Sequence, residues 1–172
     1  MARAEGDRLH LGFMHVAQTD AGFVGGLLVT NRQGRPLEFQ CTTPLRPNNT
    51  QQMLYGPTLR PYIFADLLGK TLFDRVAVKP DLIVVQQPEL LDLRPLIAAP
   101  VGCIAEPTEG DLPDETRIQL GGQHLRIHAE AHEDRDALHA ASSLIPNDAD
   151  LAEPLDRVRD ALQETVRAGA VA

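Results

Sequence analysis

A chain of 172 residues, 43% apolar and 23% charged, carries enough material for one ordinary core without disulfide or metal staples, and is too apolar for a disordered segment. No apolar run approaches the roughly 20 residues needed to span a bilayer, and the start MARAEGDRLHLGF lacks a signal-peptide core, so a cytoplasmic location and no membrane contact are expected. The net charge of −8 repels phosphate backbones and disfavours non-specific nucleic-acid binding.

Residues 1–8 are polar and are expected to fray. Leu9 to Gln18 reads as a first strand, and Thr19 to Gly22 as a turn. Phe23 to Thr30 follows as a second strand, in which Gly25 and Gly26 mark a bulge or a close backbone approach. A turn at Asn31–Gly34 leads to a third strand over Pro36 to Thr43, with Leu37, Phe39 and Cys41 on one face. The N-terminal third is thus an antiparallel meander of three strands.

Pro44 to Pro61 holds four prolines and is longer than an ordinary connection; such loops in a compact domain are usually functional or disordered. Its middle, Thr50 to Tyr55, forms a helical turn in this reading, with Thr50 as the cap. Asn48, Asn49 and Gln52 offer uncharged donors and acceptors, Arg46 a guanidinium, and Met53, Leu54 and Tyr55 apolar anchors. Either Leu54 and Tyr55 turn inward to cover the sheet edge, or the segment is a recognition surface. Tyr62 to Val76 is an amphipathic helix, with Phe64, Leu68, Leu72 and Phe73 in its apolar stripe. Gly69 costs that helix roughly 1 kcal/mol relative to Ala, which is tolerable if another backbone packs closely there.

Leu82 to Val85 is apolar at every position, as a strand buried on both faces and placed centrally in a parallel sheet must be. Pro88 to Ile97 is a short helix and Val101 to Ala105 a second apolar strand, which makes a parallel strand–helix–strand crossover. An acidic loop over Pro107 to Glu115 follows. Arg117 to Leu120 and His124 to Ala131 form a late hairpin about Gly121-Gly122, and Asp136 to Ile145 a short helix. A final helix starts near Asp150, with Glu153 completing a capping box, a stripe of Leu151, Leu155, Val158, Leu162 and Val166, and Gly169 as its stop. The whole is read as a single α/β domain over residues 1–172: a mixed sheet with an N-terminal meander, a central parallel crossover, a late hairpin and C-terminal helices.

No coherent catalytic set emerges. Gly69-Lys70-Thr71 imitates the tail of a phosphate-binding loop, but Phe64 stands where the first glycine belongs and the triplet lies in a helix pattern. Cys41 and Cys103 fall on strands and read as buried free thiols without an activating base. His124, Arg126, His128, Glu130 and His132 share one face of the last strand in this reading. His128, Glu130 and His132 are types that zinc accepts, yet side chains two apart diverge, so a metal-free solvated face is expected and no cofactor is implied.

The element order, with the hairpin VGGLLVTNRQGRPLEF and the run RPYIFADLLGKTLFDRVAVKPDLIVVQ, resembles the ribonuclease H-like superfold; the second run is similar in layout to endonuclease V enzymes. The resemblance covers residues 9–106. It implies a nuclease in which acids from several elements hold two metal ions that activate water. Asp66 matches the acid of the first helix and Glu89 stands just beyond the end of the fourth strand, where Gln86 and Gln87 replace the expected acid. The first strand carries no acid, the nearest being Asp20 in its turn. Neutral amides do not hold divalent ions together. The leading expectation is therefore a non-catalytic binding or scaffold domain acting through a protein partner. A metal-dependent nuclease using Asp66 and Glu89 is the alternative, and a small-molecule sensor near Gln86, Gln87 and Glu106 a third reading.

Overall fold

In the computed structural model, which describes residues 9–105 and 117–171, seven strands form one mixed sheet in the order β3-β2-β1-β4-β5-β7-β6. Strands β1 (Leu11–Thr19), β2 (Gly22–Thr30) and β3 (Pro36–Cys41) pair antiparallel, as the meander requires. Strand β4 (Leu82–Val85) lies parallel to both β1 and β5 (Val101–Ile104) and is the middle strand of the seven. All four of its side chains are buried, which is what an unbroken apolar run on a central strand buys from both faces of the sheet. The late hairpin, β6 (Arg117–Leu120) and β7 (Gln123–Ile127), extends the sheet antiparallel beyond β5.

Alternation along β1 and β4 divides the core into two halves. Met14, Val16, Ile83 and Val85 face one helical layer, with Ile63, Phe64, Leu68 and Leu93. Leu11, Phe13, Leu82 and Val84 face the other, with Leu138, Leu155 and Leu162. The first layer is a continuous helical run followed by the crossover. It comprises α2 (Leu59–Pro61), a π-helical turn over Tyr62–Gly69 and α3 (Lys70–Arg75). The second layer is α4 (Asp134–Ser142) and α5 (Glu153–Val171).

Several local expectations are corrected. The crossover over Pro88–Leu96 is 3₁₀-helical rather than α-helical, with Pro95 inside it. The expected α-helix over 62–76 is π-wound through its first half: the Lys70 N–H reaches back to the Ala65 carbonyl, five residues away. Gly69 is tightly enclosed, but by the Phe64 carbonyl and the Leu93 side chain rather than by another element's backbone; an added Cβ would meet them at 2.9 and 3.2 Å. The loop helix α1 (Asn49–Tyr55) is capped by Asn48, not Thr50. Helix α4 starts and ends earlier than the expected Asp136 to Ile145.

At α5 the Asp150 carboxylate accepts from the Ala152 and Glu153 amides, but Glu153 pairs with Arg157 instead of reaching back to complete a box. The helix runs through Gly169 to Val171, so that glycine is no stop. Gly25 and Gly26 do mark close approaches: a Cβ on Gly26 would sit 2.9 Å from Leu162 Cδ2. The irregular register lies instead between Val29 and Thr30, where β2 meets β3. The expected frayed start at 1–8 and the acidic loop at 107–115 fall outside the described residues.

Candidate functional site

Three places named by the sequence are now fixed in space. The first is the carboxyl end of β1 and β4, where a catalytic acid of the nuclease reading would stand. Here β4 ends at Val85, and β1 runs on without a strand partner on that side. The Gln87 side chain substitutes for the missing strand. Its Oε1 accepts from the Val16 N–H at 2.9 Å and its Nε2 donates to the Val16 carbonyl at 2.8 Å. Both polar atoms of the side-chain amide are thereby engaged with the scaffold. Gln86 is exposed in the bend that follows β4, and Glu106 lies outside the described residues.

The acids of the nuclease reading do not assemble around this point. Glu89 is engaged by Arg60 at 3.2 Å, and the Arg60 guanidinium also lies 4.7 Å above the Phe64 ring. Asp66 is exposed in a shallow depression with Tyr62 and Asp92. Asp20 is in the β1–β2 turn, where its backbone carbonyl accepts from Arg46. Among the described residues no three His, Cys, Asp or Glu side chains cluster so as to hold a metal ion.

The second place is the histidine face, and here the alternating pattern misleads. Strand β7 stops at Ile127; among the described residues Gly102↔Ile127 and Arg117↔Arg126 are the last pairings of its neighbours. His128, Glu130 and His132 therefore lie in the turns before α4, not on a strand face. His128 Nδ1 accepts from the Glu130 amide at 3.1 Å, and Ala131 turns inward. Neither cysteine is in a disulfide; Cys103 is buried, whereas Cys41 is only half-buried, so the expectation of two buried thiols holds for one. The phosphate-loop imitation is helical throughout, with Lys70 paired to Asp74.

The third place is the Pro44–Pro61 segment. It is pinned at its start, since Leu45 and Phe23 exchange two backbone hydrogen bonds of 2.8 Å and the Arg46 guanidinium holds the Asp20 carbonyl. Asn48 and Gln51 then form a reciprocal capping box: Asn48 Oδ1 accepts from the Gln51 amide at 2.8 Å, and Gln51 Oε1 from the Asn48 amide at 3.0 Å. Gln52 Nε2 donates to the Pro47 carbonyl, and Gly56, at φ 52°, closes the helix. The Tyr55 ring stacks on Tyr62, centroids 4.8 Å apart. The hydrogen bond with Tyr55, and then the like charge of an ionised Tyr55, push the Tyr62 phenol above its ordinary pKa.

No residue of α1 is buried, and Met53 and Leu54 are 81% and 79% exposed. Leu54 thus points outward, while Tyr55 folds back onto the chain. Below α1 a cavity of about 510 Å³ opens between Gln18, Phe23, Gln52, Leu59 and Arg60. Asn49 is exposed on the first turn of the helix.

Sequence reasoning missed the Gln87 clamp and the π-turn. The clamp joins residues 71 positions apart, and no local pattern announces it. The double glutamine after β4 was its only trace. No helix of the described residues is long and apolar enough to cross a membrane. No protein-family model matches the chain, and no curated protein matches it.

Proposed function

We propose that this chain is a non-catalytic binding domain that engages a protein partner through α1. One observation carries the reading: a helix with both ends capped presents two large apolar side chains, Met53 and Leu54, almost wholly to water. A helical turn of this length does not hold itself together in water, so the caps, the Leu45–Phe23 pairing and the Tyr55–Tyr62 stack are what keep it formed. Ordering the segment before binding lowers the entropy lost when a partner arrives. From Pro47 to Leu59 no side chain is charged, which suits the desolvated centre of an interface. The partner chemistry that fits is a shallow apolar groove accepting one helical turn.

The roles of the named residues divide accordingly. Met53 and Leu54 are the anchors, with Asn49 and Gln52 as uncharged hydrogen-bonding groups beside them. Arg46, Asn48 and Tyr55 hold the helix in place and act on binding through it. A ribonuclease H-like relationship is part of this reading, supported by the antiparallel β1–β3 meander followed by the parallel β1-β4-β5 order. The nuclease alternative is not favoured, because Glu89 is tied to Arg60 and the end of β4 carries an amide engaged with backbone.

The test is site-specific photo-crosslinking from position 54 in the native host, with position 79 as an exposed control. The expected result is one partner joined only from position 54. Purified, it should bind the wild-type chain and lose affinity by about tenfold or more with Leu54→Ala. Equal crosslinking from both positions, or an affinity unchanged by both Leu54→Ala and Met53→Ala, overturns the proposal.

A further inference from the structure

At one end of the sheet, among the described residues, β3 has β2 on one side and no strand on the other. Just past the strand the Thr42 N–H donates to the Gly25 carbonyl, and the pairs Gln40↔Leu27 and Glu38↔Val29 continue that register. Antiparallel bonding alternates along a strand, so Thr42, Gln40 and Glu38 turn their backbone groups toward β2. The residues between them point the other way. The Phe39 N–H and carbonyl, the Cys41 N–H and carbonyl and the Leu37 carbonyl all face off the edge. Of these, the Cys41 carbonyl accepts from Arg75 at 3.2 Å.

Sheet edges are ordinarily guarded by prolines, bulges or projecting charges. Pro36 and the shift of register at Val29/Thr30 guard only the start of β3. The strand's one charged residue, Glu38, is bent onto the first helical layer, where it accepts from the Ala77 and Val78 amides at 2.9 and 2.8 Å. The opposite face carries the alternate residues Leu37, Phe39 and Cys41. Helix α5 lies over β1 and β2, and Leu37 and Phe39 are left 44% and 36% exposed. Apolar side chains beside outward backbone groups make this edge a template for another strand.

A second β3 fits that template in one register. Antiparallel pairing about a twofold axis at Phe39 joins its N–H and carbonyl to those of the partner's Phe39, and the Cys41 N–H to the partner's Leu37 carbonyl. Every outward group is then used, since the Cys41 carbonyl stays with Arg75. Leu37 comes beside the partner's Cys41, so the apolar face continues across the junction. On the other face Glu38 comes opposite the partner's Gln40, the residue type whose amide it already accepts within its own chain at 2.9 Å. An axis at Glu38 would instead oppose two carboxylates, which destabilises a strand pair.

We infer that the chain forms a twofold dimer through β3, which joins two sheets into one. The surface shares no residue with α1, so this proposal and the protein-docking one stand or fall separately. Sedimentation of the full chain should show two-copy particles whose share rises with concentration, dissociating in the micromolar range. Phe39→Lys sets like charges at the axis and should weaken association by about tenfold or more. Phe39 is exposed, so circular dichroism of this variant should match wild type. Leu37→Cys reads the register, because a hydrogen-bonded antiparallel pair sets Cα atoms about 5.5 Å apart, within disulfide reach. Mild oxidation should crosslink that variant into dimers through the partner's Cys41, and adding Cys41→Ser should abolish the crosslink. Single copies at every concentration up to about 0.1 mM overturn the proposal, as does association unchanged by Phe39→Lys. Dimers that Leu37→Cys fails to crosslink overturn the β3 pairing in this register.

Discussion

Arg94 and Asp134 meet through two parallel hydrogen bonds, Nε to Oδ2 at 2.6 Å and Nη2 to Oδ1 at 3.0 Å, joining elements 40 positions apart. The third guanidinium nitrogen, Nη1, donates to the Ile97 carbonyl at 2.9 Å. The 3₁₀ crossover of one layer is thereby tied to the start of α4 in the other. The Asp134 side chain is 3% exposed, so its charge has no recourse to water. Its hydrogen bonds raise the pKa of Arg94 further above the ordinary arginine value. Removing the cation alone strands a buried carboxylate, which typically costs about 3–5 kcal/mol. Arg94→Met should therefore destabilise strongly, and Arg94→Met with Asp134→Leu should recover much of the loss. Urea unfolding of the two variants checks this; a single variant within about 1 kcal/mol of wild type would contradict it.

The Gln87 clamp makes a second prediction, about local order. Truncation by Gln87→Ala leaves the Val16 N–H and carbonyl without their partners, at a cost of about 1–3 kcal/mol. Hydrogen exchange at Val16 should speed up more than at Gly12, which lies within the β1–β4 pairing. Equal acceleration at both amides would mean that the clamp has no local role.

His15 predicts a pH dependence. Burial, and then the nearby Arg159 guanidinium, hold its imidazole below the ordinary 6.5, against a smaller opposing pull from Asp156. Its Nδ1 is buried without a hydrogen-bond partner among the described residues. Because the folded value is the lower one, the unfolded chain binds more protons between the two values, and stability rises with pH there. The stabilising contribution is complete above 6.5 and is lost as pH falls through the folded value. His15→Leu should flatten the fall in thermal midpoint between neutral pH and the onset of carboxylate titration. A fall of unchanged slope in that variant would assign it to other groups.

Two glycines predict opposite signs. A Cβ at Gly26 would lie 2.9 Å from Leu162 Cδ2 and 3.0 Å from Val158 Cγ1, and both side chains are fully packed. Gly26→Ala should cost about 1–3 kcal/mol by overpacking. At Gly169, within α5, nothing lies within 4 Å of an added Cβ, so Gly169→Ala should stabilise by up to about 1 kcal/mol. Thermal unfolding of the two variants compares them directly.

The unequal cysteines give the last prediction. A thiol reagent should label half-buried Cys41 in the native state well before Cys103, which waits on opening of the core. Equal rates measured by mass spectrometry would contradict the packing of β5.

Burial patterns made much of this fold legible in the sequence. The run Leu82–Val85 specified the central strand, the spacing of Leu155, Val158 and Leu162 specified α5, and Gly121-Gly122 marked the outer hairpin. What stayed hidden depended on partners rather than on pattern. Alternation continued through Ala129 and Ala131, but a strand needs neighbours, and among the described residues β5 and β6 supply none beyond Ile127. The π-turn keeps the apolar spacing of an α-helix closely enough that Phe64 and Leu68 gave no sign of it. At the candidate site, the uncharged run was visible, yet the outward turn of Leu54 was not. It follows from the Asn48–Gln51 box and the Tyr55–Tyr62 stack, whose geometry no composition reveals.

The outward turn of α1 also shapes how such a chain diverges. Leu162 is held by its neighbours on every side, and most replacements there are penalised before the protein has done anything. Met53 and Leu54 carry no such burden: their replacement leaves the core untouched. Any constancy at these two positions among lineages that share this fold would be maintained after folding, by an encounter with another molecule. Drift there alongside a constant Leu162 would mark lineages in which that encounter has been lost.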